Sequence, residues 1–352
     1  MKEFKIADRK VGKENPIFII AEMSCNHLQK YEYAEKIVRE AAKAGADAIK
    51  LQTYTADTMT INSNNKYFQL QGTIWEGKNL YQLYEEAYTP WEWQPKLKKL
   101  TEELGLIFFS SPFDKTSVDF LEKMDVPVYK LASYEIQDIP LIKYIAEKKK
   151  PVIFSTGMAR LSDIELALDT FRENGTEEIA MLKCVSAYPT PIEDMNLKSI
   201  QNIDQTFDVV AGLSDHTMGI TVPVVSVALG AKIIEKHLTL DRAYGGPDAP
   251  FSLEPSEFKE MVKAVRDAEK AIGKVTYELN EKQLRSGEMG RSIFVVKDMK
   301  AGEVFTEENI RVIRPGQGME PKYYESIMGQ KAKVDIERGT PLQREFVGIT
   351  PI

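Results

Sequence analysis

The strongest constraint on the fold is a regular alternation of short apolar runs and amphipathic segments along most of the chain. Apart from their carboxyl ends, the runs are continuously apolar and rich in Val, Ile, Leu and Phe, as expected for parallel strands buried on both faces. Eight predicted strands lie at 16–23, 48–52, 106–111, 128–132, 151–156, 179–185, 209–214 and 233–238. Eight predicted helices follow them in turn, at 31–44, 91–104, 115–124, 139–148, 162–173, 196–206, 221–229 and 256–272.

Eight strand–helix units in succession predict a (β/α)₈ TIM barrel. Two helix–strand joints with similar sequences, GADAIK at 45–50 and GAKIIE at 230–235, agree with repeated units of this kind. A doubly wound parallel sheet is the alternative. Such a sheet usually has fewer strands, and no GxGxxG motif follows the first run.

The chain departs from this repeat in two places. The connection 53–90 is much longer than the others and is polar and aromatic, so we expect it to cover a site at the end of the barrel; an ordinary surface insertion is the alternative. After Gly273 the repeat stops. We therefore predict a catalytic barrel domain at 1–275, a linker at 276–290 and a small β-rich domain at 291–352.

Composition limits the cellular compartment and the classes of binding partner that we expect. The formal net charge of −7 gives no reason to expect nucleic acid or an anionic membrane, so an anionic substrate needs a few placed cations. Two cysteines suit a reducing cytosol. The charged first residues do not resemble a signal peptide, and no apolar run is long enough to span a membrane. We therefore expect a cytoplasmic protein.

Polar side chains occupy the carboxyl ends of the predicted strands, where barrel enzymes place their chemistry. They are Glu22, Lys50, Gln52, Ser110, Ser111, Lys130, Ser155, Thr156, Lys183, Ser214, Asp215, His216, Glu235, Lys236 and His237, with Ser133, Glu135, Ser186 and Tyr188 just beyond. One buried charge could belong to a structural ion pair, and a single Ser or Thr could cap a helix. So many polar groups at one end predict an active site.

His216 and His237 end adjacent predicted strands. Two imidazoles so placed can bind one divalent ion and leave positions open for water and substrate, whereas a lone histidine is more often a hydrogen-bonded core residue. Asp215 or Glu235 is a candidate third ligand or a support for the ligands. His27, in the first loop, either contacts a ligand or bonds within its loop; spacing does not decide.

Lys50 and Lys130 supply two inward positive charges. Together with the hydroxyls of Ser133, Ser155 and Ser214 they are suited to hold a phosphate and a carboxylate. A lysine Schiff base is the competing use of either lysine. Two lysines among hydroxyls favour anion binding.

Nine motifs, spread over essentially the whole chain, resemble those of the sialic acid synthase family and occur in the family's order. They are AEMSCNH, GADAIKLQTY, SSPFD, YKLASYE, STGM, YPTP, GLSDHT, EKHLTLD and IRPGQG. Three segments look most like the branch of the family that makes pseudaminic acid. They are EAYTPWEW, CVSAYPTPIEDMNLK and FSLEPSEFKEMVKAVRDAE.

The resemblance implies a TIM barrel followed by an antifreeze-like (SAF) domain. It implies condensation of phosphoenolpyruvate with an N-acetylated amino sugar and water, giving a nonulosonic acid and phosphate. For the pseudaminic acid branch the sugar is 2,4-diacetamido-2,4,6-trideoxy-altrose. The resemblance also implies a divalent ion, commonly Mn²⁺ with Mg²⁺ or Co²⁺ as alternatives, and a domain-swapped homodimer in which one chain's small domain covers the other chain's barrel.

The resemblance also assigns roles to individual residues. His216 and His237 correspond to metal ligands, and with Glu22 they form the predicted catalytic set. The predicted substrate contacts are Lys50, Ser111, Lys130, Ser133, Glu135, Ser155, Ser186, Tyr188, Ser214, Asp248 and Arg314, of which Arg314 reaches into the partner's site. Ser186 departs from the Asn common in sialic acid synthases; it is shorter and lacks an amide donor.

Three rival functions remain open at this point. A sialic or legionaminic acid synthase would share the chemistry and differ in its sugar. An aldolase would use a lysine Schiff base. A non-enzymatic ice-binding protein is disfavoured, because the small domain is charged and irregular and follows a barrel with a full set of polar strand ends.

Overall fold

The computed structural model describes residues 2–72 and 74–347. The chain divides into two compact units, Met1–Gly273 and Lys274–Ile352. A two-stranded hairpin that the sequence analysis did not anticipate begins the first unit, with β1 at Glu3–Ile6 paired antiparallel to β2 at Arg9–Gly12.

The predicted barrel is confirmed in the first unit. Eight parallel strands close in chain order, and the last one pairs with the first. They are β3 Phe18–Glu22, β4 Ala48–Thr53, β5 Ile107–Pro112, β6 Tyr129–Leu131, β7 Val152–Ser155, β8 Ile179–Lys183, β9 Val210–Asp215 and β10 Ile233–His237. Because both faces of these strands are covered, nearly all of their side chains are buried, as the uninterrupted apolar runs predict.

Helices follow the barrel strands as expected from the amphipathic segments. They are α1 Tyr31–Ala44, α2 Ala56–Met59, α3 Leu80–Ala87, α4 Gln94–Glu103, α5 Lys115–Lys123, α6 Ile139–Ala146, α7 Leu161–Glu173, α8 Ser199–Phe207, α9 Thr221–Ala228 and α10 Pro255–Ile272. Two of these, α2 and α3, lie within the long connection 53–90, for which no helix was predicted. Each begins with a capping box, at Thr55 and at Asn79.

Close packing between strands leaves one place in β9 where only glycine fits. A Cβ atom on Gly212 would lie 2.5 Å from Leu182 Cδ2 and 2.6 Å from the carbonyl oxygen of Ile233. These neighbours lie on the adjacent strands β8 and β10, so any side chain there would force the strands apart. The glycine therefore helps the two strands that end in candidate ligands to pair closely.

The second unit is small and β-rich, as expected from the change of pattern after Gly273. It contains α11 at Glu281–Gly287, the antiparallel pair β11 Ser292–Val295 and β12 Ile310–Ile313, and α12 at Tyr324–Ile327. Its separate apolar core includes Ile293, Phe305 and Leu342. Short helical turns complete the two units, at Lys66–Phe68, Trp91–Trp93, Ser133–Glu135, Ile192–Met195, Arg242–Tyr244, Ala249–Phe251, Pro321–Tyr323 and Arg344–Phe346.

Among residues 2–72 and 74–347, no helix is both long enough and apolar enough to cross a bilayer.

Candidate active site

A pocket of about 430 Å³ opens where the barrel strands end. That volume is within the usual range for small-molecule sites. Ten of the predicted site residues line it, namely Lys50, Lys130, Ser133, Glu135, Ser155, Tyr188, Ser214, His216, His237 and Asp248. Gln52 and Glu235, two further strand-end residues, also line it.

Four predicted residues lie outside this lining. Glu22, Ser111 and Ser186 contact side chains that do line the pocket, through Lys50 for the first two and Ser133 for the third. Arg314 belongs to the second unit, where it follows β12 and is exposed.

A buried ionic cluster forms the base of the pocket. Lys50 Nζ is 2.7 Å from Glu22 Oε2 and 3.6 Å from Glu235 Oε1, and it donates to Ser111 Oγ at 3.3 Å. Gln52 donates to the other oxygen of Glu22 at 3.0 Å. Burial raises the pKa of Glu22 to about 7, against the lowering effect of Lys50. The cluster thus concentrates charge in a place from which water is excluded.

Lys130 is a buried ammonium group without a carboxylate partner. Its Nζ donates to Ser155 Oγ at 2.7 Å and to the carbonyl oxygen of Leu131 at 2.9 Å. Among the described residues no carboxylate lies within ion-pair distance of it, and its side chain is almost completely buried. Burial lowers the pKa of Lys130. A buried cation held only by neutral oxygens is suited to receive an anion from outside the protein.

The turn after β7 packs directly against two serines. Ser133 Oγ and Ser186 Oγ are 2.8 Å apart. Gly157, with φ of +42°, lies so close that a Cβ atom would be 2.2 Å from Ser133 Cβ. Ser186 therefore orders Ser133 at the pocket, and the backbone at Gly157 approaches where a side chain would not fit.

His216 and His237 lie side by side, with ring centroids 5.3 Å apart. The Nδ1 of His216 is 3.2 Å from the carbonyl oxygen of Val185, so it donates there and leaves Nε2 with a lone pair. The Nδ1 of His237 is buried without a hydrogen-bond partner, 3.6 Å from Asp248 Oδ2. Burial lowers the pKa of His216 to about 4 and that of His237 also, so both rings are neutral near pH 7.

Asp215 and Lys236, the neighbours of these histidines in sequence, pair with each other. Lys236 Nζ donates to Asp215 Oδ2 at 2.6 Å, and the backbone N–H of Thr217 donates to Asp215 Oδ1 at 3.0 Å. Neither residue lines the pocket. Asp215 is thus engaged away from the site, and the pair joins the ends of β9 and β10 behind the two imidazoles.

His27 lies outside the pocket lining and is engaged on both ring nitrogens. Its Nε2 is 3.1 Å from Thr89 Oγ1, and its Nδ1 accepts from the backbone N–H of Gln29 at 3.1 Å. The ring also makes an edge-on contact with Trp93. The Nδ1 bond lies within the first loop, whereas the Nε2 bond joins that loop to the long connection 53–90.

Glu135 is a half-buried acid at the edge of the pocket. It ends the turn Ser133–Glu135, and its Oε2 is buried without a hydrogen-bond partner. Burial raises its pKa to about 7, although the charge of Lys130 acts in the opposite direction. The surroundings thus disfavour the ionised form of this carboxyl group. Such a group at a pocket indicates a role in binding or chemistry.

One wall of the pocket was not predicted residue by residue. Its side chains come from the long connection after β4, and they are Tyr54, Met59, Leu70, Trp75, Leu80, Leu83, Tyr84 and Ala87. We call these eight residues the outer wall. The length of the connection indicated a cover for the site, but its sequence has no period long enough to show which side chains face inward.

Comparisons with known proteins agree with this architecture. The model described as "NeuB family" matches residues 37–277, and the "SAF domain" model matches residues 290–347. A pseudaminic acid synthase from Campylobacter jejuni subsp. jejuni (strain 81-176) is 46% identical over 94% of this chain and 96% of its own length. An N,N'-diacetyllegionaminic acid synthase from Legionella pneumophila is 34% identical over 96% of each chain.

A solved structure supports the same relationship. The crystal structure of N-acetylneuraminic acid (sialic acid) synthetase from Leptospira borgpetersenii serovar Hardjo-bovis, in complex with citrate, aligns with a TM-score of 0.72. The two chains are 33% identical, and the alignment covers 81% of this chain and 95% of that one. The chain therefore belongs to the NeuB family, with a SAF domain following its barrel.

Proposed function

We propose that the chain is a pseudaminic acid synthase, which condenses phosphoenolpyruvate with 2,4-diacetamido-2,4,6-trideoxy-altrose and water to give pseudaminic acid and phosphate. We call the lining residues Lys50, Lys130, Ser133, Ser155, Ser214, His216 and His237 the floor of the pocket. The observation that carries this proposal is the buried ammonium of Lys130 on this floor, which has no carboxylate partner among the described residues. The choice of sugar follows the relative that is 46% identical, against 34% for the legionaminic acid synthase. A legionaminate or N-acetylneuraminate synthase is the alternative.

Phosphoenolpyruvate fits the polar floor. Its phosphate and carboxylate are both recognised by ammonium and hydroxyl groups, which Lys130, Ser155, Ser133 and Ser214 supply. Lys50 lies at the same level but is already paired with Glu22. Lys130 therefore contributes the larger share of anion binding, and Lys50 orders the carboxylates beside it.

A divalent metal ion, Mn²⁺ by preference, fits the pair His216 and His237. Both imidazoles are neutral, which is the ligating form, and the buried Nδ1 of His237 lacks a hydrogen-bond partner. Over the described part of the chain, no group of three or more His, Cys, Asp or Glu is spaced to hold a metal ion. Water and substrate oxygens would complete the coordination, as in open catalytic sites.

The reaction forms a carbon–carbon bond to the aldehyde and a carbon–oxygen bond to water, and it breaks the carbon–oxygen bond to phosphate. One proton of the water goes to the former aldehyde oxygen and the other leaves with the phosphate. The third carbon of phosphoenolpyruvate attacks the aldehyde carbon of the sugar, and positive charge develops at the second carbon. The bound ion would supply Lewis acidity to the aldehyde oxygen. Glu22 and Glu235 place negative charge beside the floor and favour the cationic carbon, to which water then adds. Phosphate leaves with the bridging oxygen and stays paired with Lys130 until release.

Charge balance supports a contribution from a second copy of the chain. Lys50 and Lys130 face the carboxyl groups of Glu22 and Glu235, and Glu135 and Asp248 add two more carboxyl groups at the pocket. The chain therefore supplies no net positive charge there, whereas phosphoenolpyruvate carries about −3 near pH 7. No arginine is among the described residues that line the pocket. The divalent ion and Arg314 from the SAF domain of a partner would complete the balance, in a domain-swapped homodimer.

A cytoplasmic location completes the proposal. Both cysteines, Cys25 and Cys184, are free thiols and both are buried beside the pocket. Burial raises the pKa of each thiol, so neither is held as a reactive thiolate. A reducing compartment keeps such thiols intact.

Replacing Lys130 tests the anion site. We expect Lys130→Met to raise the KM for phosphoenolpyruvate about 100-fold, because a buried charged partner is lost. The free energy of unfolding should hold or rise, since the variant no longer buries an unpaired charge. Lys183→Met is the matched control, because Lys183 also ends a barrel strand but lies outside the pocket lining. An unchanged KM would contradict the role, and trapping of a substrate adduct by borohydride would favour the Schiff-base aldolase.

Replacing Glu135 tests whether its burial serves the site. Its folded pKa of about 7 exceeds the ordinary value of 4.5, so the carboxyl group makes the folded state less stable as pH rises from about 4.5 to 7. Glu135→Gln should therefore stabilise the barrel by about 2 kcal/mol at pH 8 and by little at pH 5. Calorimetry at the two pH values measures this difference.

The same variant should lose activity while it gains stability. Glu147→Gln, a change at an exposed position, is the control and should alter neither property. A Glu135→Gln variant with full activity and the same stability at pH 8 would contradict the assignment.

Metal binding is tested without reference to turnover. Titration calorimetry with Mn²⁺ should find one ion per wild-type chain, and His237→Ala should weaken its binding at least about tenfold, since one of two protein ligands is lost. His27→Gln should bind Mn²⁺ as the wild type does, because His27 lies outside the pocket. Equal affinity in His237→Ala would refute the proposed ligand pair.

Complementation tests the shared site. Arg314→Ala and His237→Ala should each be nearly inactive alone. When the two chains are mixed through dissociation and reassociation, half of the dimers are mixed and each has one intact site, so about 25% of wild-type activity should return. If Arg314 acted within its own chain, mixing would restore nothing.

A further inference from the structure

The outer wall differs in chemistry from the rest of the pocket. Its eight side chains are all apolar or aromatic, although the connection that supplies them is rich in Asn, Gln, Thr and Glu. None of the described Asn, Gln, Thr, Asp, Glu or Lys side chains between residues 54 and 87 lines the pocket. The connection thus presents its apolar side chains to the pocket and leaves its polar ones elsewhere.

Contacts within the protein hold the wall in place. Leu83 is buried on α3, and the capping box at Asn79 fixes the start of that helix, with Asn79 Oδ1 accepting from the Gln82 N–H at 2.8 Å. Tyr54 and Tyr84 meet edge to face with ring centroids 5.7 Å apart. A preformed apolar surface loses little conformational entropy on binding, so it can discriminate between ligands.

Trp75 joins the wall to the opposite side of the pocket. Its indole Nε1 donates to the carbonyl oxygen of Pro247 at 3.0 Å, and its ring lies 5.9 Å from that of Tyr188. Pro247 precedes Asp248, whose carboxylate accepts from Ser24 and lies near His237. Trp75 therefore packs where the apolar wall meets the residues closest to the histidine pair.

Phosphoenolpyruvate gives this wall nothing to bind, because both of its ends are anionic and suit the floor. The wall must then contact the second substrate. A sugar with a hydroxyl on each carbon would place several hydroxyls against aliphatic side chains and ring faces, while among the wall residues the phenol groups of Tyr54 and Tyr84 could pair with few of them. Hydroxyls left there without a partner are costly. A sugar with a methyl group in place of the terminal hydroxymethyl, and with acetamido methyls, would bury those methyls there.

We infer that the outer wall, with Trp75 at its centre, selects the acceptor by binding the C6 methyl and acetamido methyl groups of a deoxygenated sugar. This inference rests on the proposed function and names the residues that determine specificity within it. Each buried methyl favours binding about fourfold, and an apolar pocket rejects an added hydroxyl by about 100-fold at most. Together they predict a preference of about 100-fold to 1000-fold over a hydroxylated acetamido sugar.

The experiment compares kcat/KM for two acceptors, the diacetamido-trideoxy-altrose and N-acetylmannosamine, by phosphate release. In Trp75→Ala we expect the ratio of the two values to fall at least tenfold, with the KM for phosphoenolpyruvate changed less than twofold. Met59→Gln, which keeps the volume of a half-buried wall residue and adds an amide, should lower the ratio without removing a bulky side chain. Tyr67→Ala is the matched control, an exposed aromatic residue of the same connection outside the lining.

Trp75→Phe separates the two contributions of the indole, because it keeps a ring and loses the bond to Pro247. A ratio close to that of the wild type supports an apolar role, as inferred. If Trp75→Ala and Met59→Gln lower kcat/KM equally for both acceptors, the wall only orders the site and the inference is overturned.

Failure of the proposed function would look different. If wild type rejects the altrose sugar but uses a diacetamido-trideoxy sugar of another configuration, the assigned acceptor is wrong while the role of the wall is supported. If wild type prefers N-acetylmannosamine, the wall does not select methyl groups and the inference is overturned.

Discussion

Three charged side chains are buried together where three neighbouring strands end, and the site depends on this cluster. Glu22 ends β3, Lys50 lies on β4 and Glu235 lies on β10, and β3 pairs with both of the other strands. Burying such groups is unfavourable unless they pair closely. The closed barrel supplies the pairing because its register places Glu22 directly beside Lys50. Both carboxylates of the cluster pair with Lys50. Lys130 therefore has no carboxylate at ion-pair distance among the described residues.

The fold was predictable because the barrel strands have a recognisable sequence pattern. Strands covered on both faces need uninterrupted apolar runs, and each predicted run contains or overlaps an observed strand. The polar strand ends were predictable for the same reason, since His216 and His237 interrupt an otherwise apolar pattern at the point where each strand ends. The hairpin β1–β2 was missed because its strands are only four residues long and contain charged residues, so they form no apolar run.

The side chains of the outer wall could not be predicted in the same way. Trp75 and Leu70 lie outside any regular helix or strand, so no period shows which way they face. Their positions depend on contacts between residues distant in sequence, such as the bond from Trp75 to Pro247. A residue can also act on the site without lining the pocket. Glu22 and Ser111 do not line it, but both contact Lys50, which does.

The division between floor and outer wall has a consequence for how such an enzyme changes over generations. The floor is assembled from strand ends scattered between residues 50 and 237, whereas the wall comes from residues 54–87 alone. With the wall as the surface that selects the acceptor, one short stretch of the gene encodes that selectivity. Recombination or a few substitutions within this stretch can change the acceptor sugar. A different donor in place of phosphoenolpyruvate would require changes on many strands at once.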